Sequence, residues 1–125
     1  MIIGTGVDIV AIARFERFIR EDNQALLERL FTPEEREYCR TKRESAQHYA
    51  ARFAAKEAFV KALGMGIREG IGWQDVAVAH DPLDKPVFCF SAVAQERLRE
   101  RSVVRSHLSL SHDGGLAVAL VILES

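Results

Sequence analysis

The sequence predicts an α+β domain in which helices pack on a mainly antiparallel sheet. Three observations carry that prediction. The chain opens on a β-branched, glycine-punctuated stretch, Ile2 to Val10, which reads as a strand. A block with helical periodicity and clear start and stop signals follows, ending near Leu63. The second half then runs in short alternating segments broken by turn residues, as strands joined by hairpins do. At 125 residues, positions 1–125 make one domain, long enough to bury a core without metal or disulfide staples.

After the first strand, Ile12, Phe15, Phe18 and Ile19 recur at helical spacing, with Arg14, Arg17 and Arg20 between them. A second helix covers Gln24 to Leu30. Thr32-Pro33-Glu34-Glu35 starts a third. Thr32 caps, Pro33 fits the first helical position and Glu35 completes a capping box, with the helix running to about Thr41. Ser45 opens the longest helix, rich in alanine from Ala50 to Ala62, and Gly64 is its natural C-cap. Trp73 to His80 alternates, Asp81-Pro82-Leu83-Asp84 turns, and Pro86 to Phe90 returns. Ser91 caps a short helix, Ala92 to Arg101. Val104 to Ser111 alternates again, Asp113-Gly114-Gly115 is a hairpin turn, and Leu116 to Leu123 is the last strand.

Composition excludes several classes. With 48% hydrophobic and 28% charged residues, the chain is neither disordered nor a coiled coil. Lys plus Arg is 17 against 18 for Asp plus Glu, a net charge of −1. That balance lacks the basic footprint of a nucleic-acid binder. Cys39 and Cys89 form neither a disulfide framework nor a CxxC site, and read as idle thiols in a reducing cytosol. The longest apolar run, Leu116 to Leu123, falls far short of the ~18 residues of a membrane span. Met1-Ile2-Ile3-Gly4 has no basic region and reaches Asp8 at once, unlike a signal peptide. A soluble cytoplasmic protein with no membrane or nucleic-acid partner is the expectation.

Three places break local pattern. Asp8 is a carboxylate inside an apolar strand, costly to bury unless it caps, pairs or ligates a cation. On the long helix, Arg52, Lys56, Glu57 and Lys61 interrupt a run of alanines and aromatics. Glu57 and Lys61 share a face at i,i+4, either as an ordinary ion pair or as charges lining an anion-holding cleft. Ser109-Leu110-Ser111-His112-Asp113 ends a strand. A hydrolase triad does not follow from it, because triad members converge from separate parts of a fold and no G-x-S-x-G elbow is present. Zinc spacings and phosphate-loop fingerprints are also missing. An oxygen-only site of Asp8 and Glu57 suits magnesium, which takes one or two carboxylates and otherwise keeps waters and substrate phosphates. Arg52, Lys56, Lys61 and His112 then suit a phosphate-rich substrate.

The stretches from Ile3 to Val10, from Arg52 to Gly64, and from Leu108 to Asp113 resemble, in order and spacing, the three signature motifs of the short bacterial phosphopantetheinyl transferases, the holo-[acyl-carrier-protein] synthase family. The middle motif, Lys56-Glu57-Ala58 with Lys61, is the most specific. The resemblance spans essentially the whole chain and implies a phosphopantetheinyl transferase-like fold assembling as a homotrimer with sites at subunit interfaces. It implies transfer of the phosphopantetheine arm of coenzyme A to a serine of an acyl carrier protein, with adenosine 3′,5′-bisphosphate as second product, in fatty acid biosynthesis. Asp8 and Glu57 are then the magnesium ligands. Glu57 and Lys61 are the catalytic pair, the base being Glu57 or a magnesium-bound water it holds. Arg52, Lys56, Lys61, Gly64, Gly66, Ser111 and His112 are the coenzyme A-binding set, and Arg14 is the carrier-docking residue. Two rivals come from other classes: an idle module that binds coenzyme A and the carrier, and a small metal-dependent phosphohydrolase. The second lacks the several carboxylates and histidines of a two-metal site.

Overall fold

The computed structural model describes residues 1–64 and 70–125. Among the described residues, ten helices and strands follow the expected order: β1 (Ile2–Ala11), α1 (Ile12–Arg20), α2 (Gln24–Leu30), α3 (Pro33–Arg40), α4 (Ser45–Leu63), β2 (Val76–His80), β3 (Pro86–Phe90), α5 (Ala92–Glu100), β4 (Arg105–Asp113) and β5 (Leu116–Glu124). The start signals behave as their chemistry requires. Thr32 Oγ1 accepts from the Glu35 N–H at 3.2 Å, and Glu35 Oε1 accepts from the Thr32 N–H at 3.0 Å, closing the capping box. Gly64 ends α4 at φ 79°, a left-handed conformation that a side chain would strain. Gly114 and Gly115, both at positive φ, make a two-residue turn between β4 and β5, while Asp113 still belongs to the strand.

Two details depart from expectation. The strand read from Trp73 begins only at Val76, because Trp73–Asp75 winds into a 3-10 turn. Asp75 Oδ2 accepts from the Gly72 N–H at 2.7 Å and sets that turn. The single sheet is in fact two: a three-stranded antiparallel sheet in the order β1-β5-β4, and a separate β2-β3 hairpin.

The long helix α4 explains both how the core packs and why its alanines matter. It lies across β1 and β5 with Ala54, Ala55, Ala58 and Ala62 buried, against Ala117, Ala119, Val121 and Leu123 of β5. A Cβ built on Gly4 would sit 1.9 Å from the Ala62 carbonyl oxygen, and one on Gly6 would sit 1.9 Å from that of Ala58. Real atoms cannot approach so closely, so these glycines let helix backbone rest directly on strand backbone. Gly4-Thr5-Gly6 is thus a packing seam. Aromatic rings of Phe15, Phe31, Tyr49 and Phe53 fill the space where α1, α2 and α4 meet. The sheet's other face stays open. Ile3, Val7, Ile9 and Leu120 are exposed there, Val7 by 56%.

Candidate functional site

Because side chains alternate along a strand, Asp8 falls on the same face of β1 as Gly4 and Gly6, turned towards α4. The glycine seam brings the helix down, and Asp8 meets it. Lys61 Nζ donates to Asp8 Oδ1 at 3.0 Å and to the Val7 carbonyl at 3.1 Å. The Asp8 side chain is 17% exposed, while Lys61 is half in solvent. Glu57, half-buried one turn before Lys61, completes the cluster. Its carboxyl is held above the usual glutamate range, first by loss of water and then by the neighbouring Asp8 charge, with Lys61 and Arg14 opposing the shift. Arg14 reaches the same region from α1, its guanidinium 5.3 Å from the centre of the Phe53 ring.

A second cluster lies on the other flank of α4. Arg52 precedes Glu57 by five residues and Lys61 by nine, which places them roughly 140° and 180° around the helix. Arg52 is only 2% exposed. Its guanidinium stacks 4.2 Å from the centre of the Tyr38 ring. Its Nη1 makes one long bond, 3.4 Å, to the His48 carbonyl, and its buried Nε has no partner among the described residues. The group faces a cavity of about 180 Å³ whose wall includes His48, His80, Pro86, Ser111 and His112. Arg52 of α4 and the adjacent Ser111 and His112 of β4 thus line one cavity. His48 and His80 join them although no sequence motif singled them out.

Lys56 must be corrected. It was expected to face coenzyme A, but it is 1% exposed and points into the core. Its ammonium donates to Glu35 Oε1 at 2.7 Å, to the Leu30 carbonyl at 2.8 Å and to the Trp73 carbonyl at 2.8 Å. An ammonium has three hydrogens, and all three are used. Burial draws its proton affinity down, and Glu35 opposes that. Glu35 Oε2 also accepts from the Val78 N–H at 3.0 Å. The pair thus joins α3, α4, β2 and the end of α2 and is structural, with no hydrogen left for a ligand. Gly64 shows a structural role as the α4 cap, and Gly66 lies outside the described residues. Of the two thiols, Cys39 is buried and its pKa is pushed up to about 12, chiefly by burial, whereas Cys89 is exposed.

The two flanks of α4 therefore carry different chemistry: two carboxylates with a lysine on one, a buried arginine with histidines on the other. A family model, the 4′-phosphopantetheinyl transferase superfamily, matches residues 4–121. The chain belongs to that superfamily. A phosphopantetheinyl transferase relative from Trichlorobacter lovleyi, named holo-[acyl-carrier-protein] synthase, is 58% identical over 125 residues, covering 100% of this chain and 99% of the relative. The relative of that name from Geobacter sulfurreducens is 56% identical over 124 residues, covering 99% of this chain and 98% of its own. Among solved structures, the holo-[acyl-carrier-protein] synthase of Neisseria meningitidis superimposes with a TM-score of 0.92 at 37% identity, covering all of both chains. The Helicobacter pylori enzyme in complex with coenzyme A gives a TM-score of 0.83 at 32% identity, covering 96% of this chain and 99% of that one. No described helix is long and apolar enough to cross a membrane.

Proposed function

We propose that this phosphopantetheinyl transferase is a holo-[acyl-carrier-protein] synthase. It transfers the 4′-phosphopantetheine group of coenzyme A to a serine of apo-acyl carrier protein and releases adenosine 3′,5′-bisphosphate. The observation that carries the reading is the Asp8–Glu57–Lys61 cluster, together with the close relatives of that name. In phosphoryl transfer, charge spreads over the phosphoryl oxygens while attacking and leaving oxygens stay roughly in line, so positioning and cationic stabilisation do most of the work. Lys61, half-exposed, can swing its ammonium from Asp8 to a pyrophosphate oxygen. Glu57 is the proposed acceptor of the serine proton, and burial and Asp8 raise its proton affinity above that of an ordinary glutamate.

Glu57, whose charged form is disfavoured by burial and by the neighbouring Asp8, also fits a divalent cation, which would offset that cost. Magnesium would be held by Asp8 and Glu57, and when bound it supplies a Lewis acid to the coenzyme A pyrophosphate. Arg52 and His112 would hold the ribose phosphate. Ser111 and the Gly64 backbone would border the nucleotide, as would Gly66. Arg14, exposed beside Glu57, would dock the acidic carrier.

The separation of the clusters on opposite flanks of α4 supports a site completed by a second subunit. The open apolar face around Val7, Ile9 and Leu120 supports a homotrimer, which would cover it. Such an enzyme would serve fatty acid biosynthesis in the cytoplasm. Mass spectrometry of an apo carrier protein incubated with the chain, coenzyme A and magnesium tests the reading. It predicts a gain of one phosphopantetheinyl mass on the carrier. An unmodified carrier with coenzyme A merely bound would instead favour an idle binding module.

A further inference from the structure

A buried cation with no anion beside it is costly. Arg52 is such a cation. It is 2% exposed, forms no ion pair among the described residues, leaves Nε without a partner, and borders a cavity. The missing partner is an anion from outside the chain. At about 180 Å³, the cavity is smaller than the about 300 Å³ at which pockets enclose whole small molecules, and it suits one phosphate group with part of a sugar or base.

Two histidines that this reading leaves unused stand at that cavity. His48 lies one turn before Arg52 on α4, and His80 ends β2. Tyr38 of α3 holds both. Its ring stacks on His80 at 4.8 Å and meets His48 edge-on at 5.6 Å, while the Arg52 guanidinium and the Lys42 ammonium lie over it at 4.2 and 4.6 Å. Resting on the proposed function, we infer that His48 and His80 are affinity-setting members of the phosphate pocket, which charge when a phosphate monoester enters and make its binding tighten as pH falls.

The electrostatics of the pocket point the same way. Both imidazoles are held below the ordinary histidine range, first by burial and then by Arg52. Lys42 adds to this at both. His80 and His112 add to it at His48. Asp81 and Asp84, on the turn after β2, oppose it at His80 without reversing it. Glu34 of α3 lines an adjoining cavity together with Tyr38, Arg52 and His80. Burial and the surrounding cations favour the neutral imidazole at each position, which spares Arg52 further repulsion. A phosphate dianion reverses the sign of the local field and favours the imidazolium at each position. Binding must then take up protons, and by linkage its strength must depend on pH.

Isothermal titration calorimetry of the assembled protein with adenosine 3′,5′-bisphosphate tests this. Measurements near pH 6 and near pH 8, in two buffers of different ionisation heat, give affinity and proton uptake together. The phosphate's own second ionisation, near ~6, is the same for every variant and cancels in the comparison. The double variant His48→Gln/His80→Gln should bind about tenfold more weakly than the wild type near pH 6, the effect of one pKa unit between free and bound states. Near pH 8 it should match the wild type, and it should take up fewer protons. His48→Gln/His80→Lys carries a charge that does not titrate in this range, so the ratio of its affinity to that of the double glutamine variant should stay nearly the same near pH 6 and near pH 8. Equal affinities and equal proton counts for wild type and double variant, with bisphosphate still bound and weakened by Arg52→Ala, would overturn the inference and leave the pocket reading intact. Bisphosphate binding that Arg52→Ala does not weaken would remove the pocket reading and the inference together.

Discussion

Replacing Lys56 by methionine separates a structural lysine from a ligand-binding one. The ammonium is 1% exposed and donates to Glu35 Oε1, the Leu30 carbonyl and the Trp73 carbonyl, all within 2.8 Å. Methionine fills most of the volume but leaves Glu35 as a buried carboxylate without its cation and orphans two carbonyls. Breaking a buried pair from one side costs about 3–5 kcal/mol, a large share of the about 5–15 kcal/mol that holds a domain together. For a chain of this size the loss corresponds to a fall in Tm on the order of 10–20 °C. Adding Glu35→Gln should recover much of it. The glutamine removes the buried charge and its oxygen still accepts from one of the Thr32 and Val78 N–H groups, so the recovery is partial. Urea denaturation of the single and double variants measures the stability. The coenzyme A KM, taken at a temperature where each variant is folded, measures the ligand role. Unchanged stability with a raised KM in Lys56→Met would refute the reasoning and return Lys56 to the ligand set.

Other perturbations test neighbouring links. Gly6→Ala forces a methyl to 1.9 Å from the Ala58 carbonyl oxygen, so it should cost about 3 kcal/mol or more by overpacking, read as a lower urea midpoint; a neutral effect would deny the backbone seam. Glu57→Gln should abolish turnover yet stabilise the fold. Because folding raises the Glu57 pKa above its ordinary value of 4.5, its contribution is fully present below that value and is lost as pH rises through the folded value. The variant's Tm advantage should therefore grow upward from about pH 4.5, and an advantage that shrinks with rising pH would contradict the sign. Arg14→Glu should raise the KM for an acidic carrier and leave that for coenzyme A unchanged, with the difference shrinking as salt screens it. An unaltered carrier KM at low salt would remove α1 from the docking face.

Signals that act within one turn or one strand were legible in the sequence. The capping box of Thr32 and Glu35, the glycine end of α4 and the Gly114-Gly115 turn all rest on neighbours three or four residues apart. Asp8, Glu57 and Lys61 stood out because charge interrupts apolar runs, and the fold gathers them. What sequence reading missed depends on distant partners. Glu35 looked complete as a capping residue, yet its carboxylate also serves Lys56, 21 residues on. Lys56 looked like Lys61 because both sit among alanines, and only the packing of α3 and β2 around α4 turns one inward and the other out. Gly4 and Gly6 read as punctuation, since nothing local reveals that helix backbone will rest on them. The first residues of the Trp73 stretch alternate like a strand. They are drawn into a turn by Asp75, and the Trp73 ring stacks on Phe53 at 5.1 Å. His48 and His80 carry no motif and meet only because the β2-β3 hairpin packs beside α4.

The central claim is that transfer occurs at a site joining Asp8, Glu57 and Lys61 of one subunit to Arg52 and His112 of the next. Mixing two defective variants tests it most directly. Glu57→Gln removes the base from one flank of α4 and Arg52→Ala removes the phosphate clamp from the other, so each alone should transfer little at low coenzyme A. Unfolded, mixed in equal amounts and refolded together, they should recover about a quarter of wild-type carrier modification, the share of sites in a closed ring that pair one intact flank with the other. Activity no greater than the sum of the two variants assayed apart would contradict the account and confine each site to a single chain.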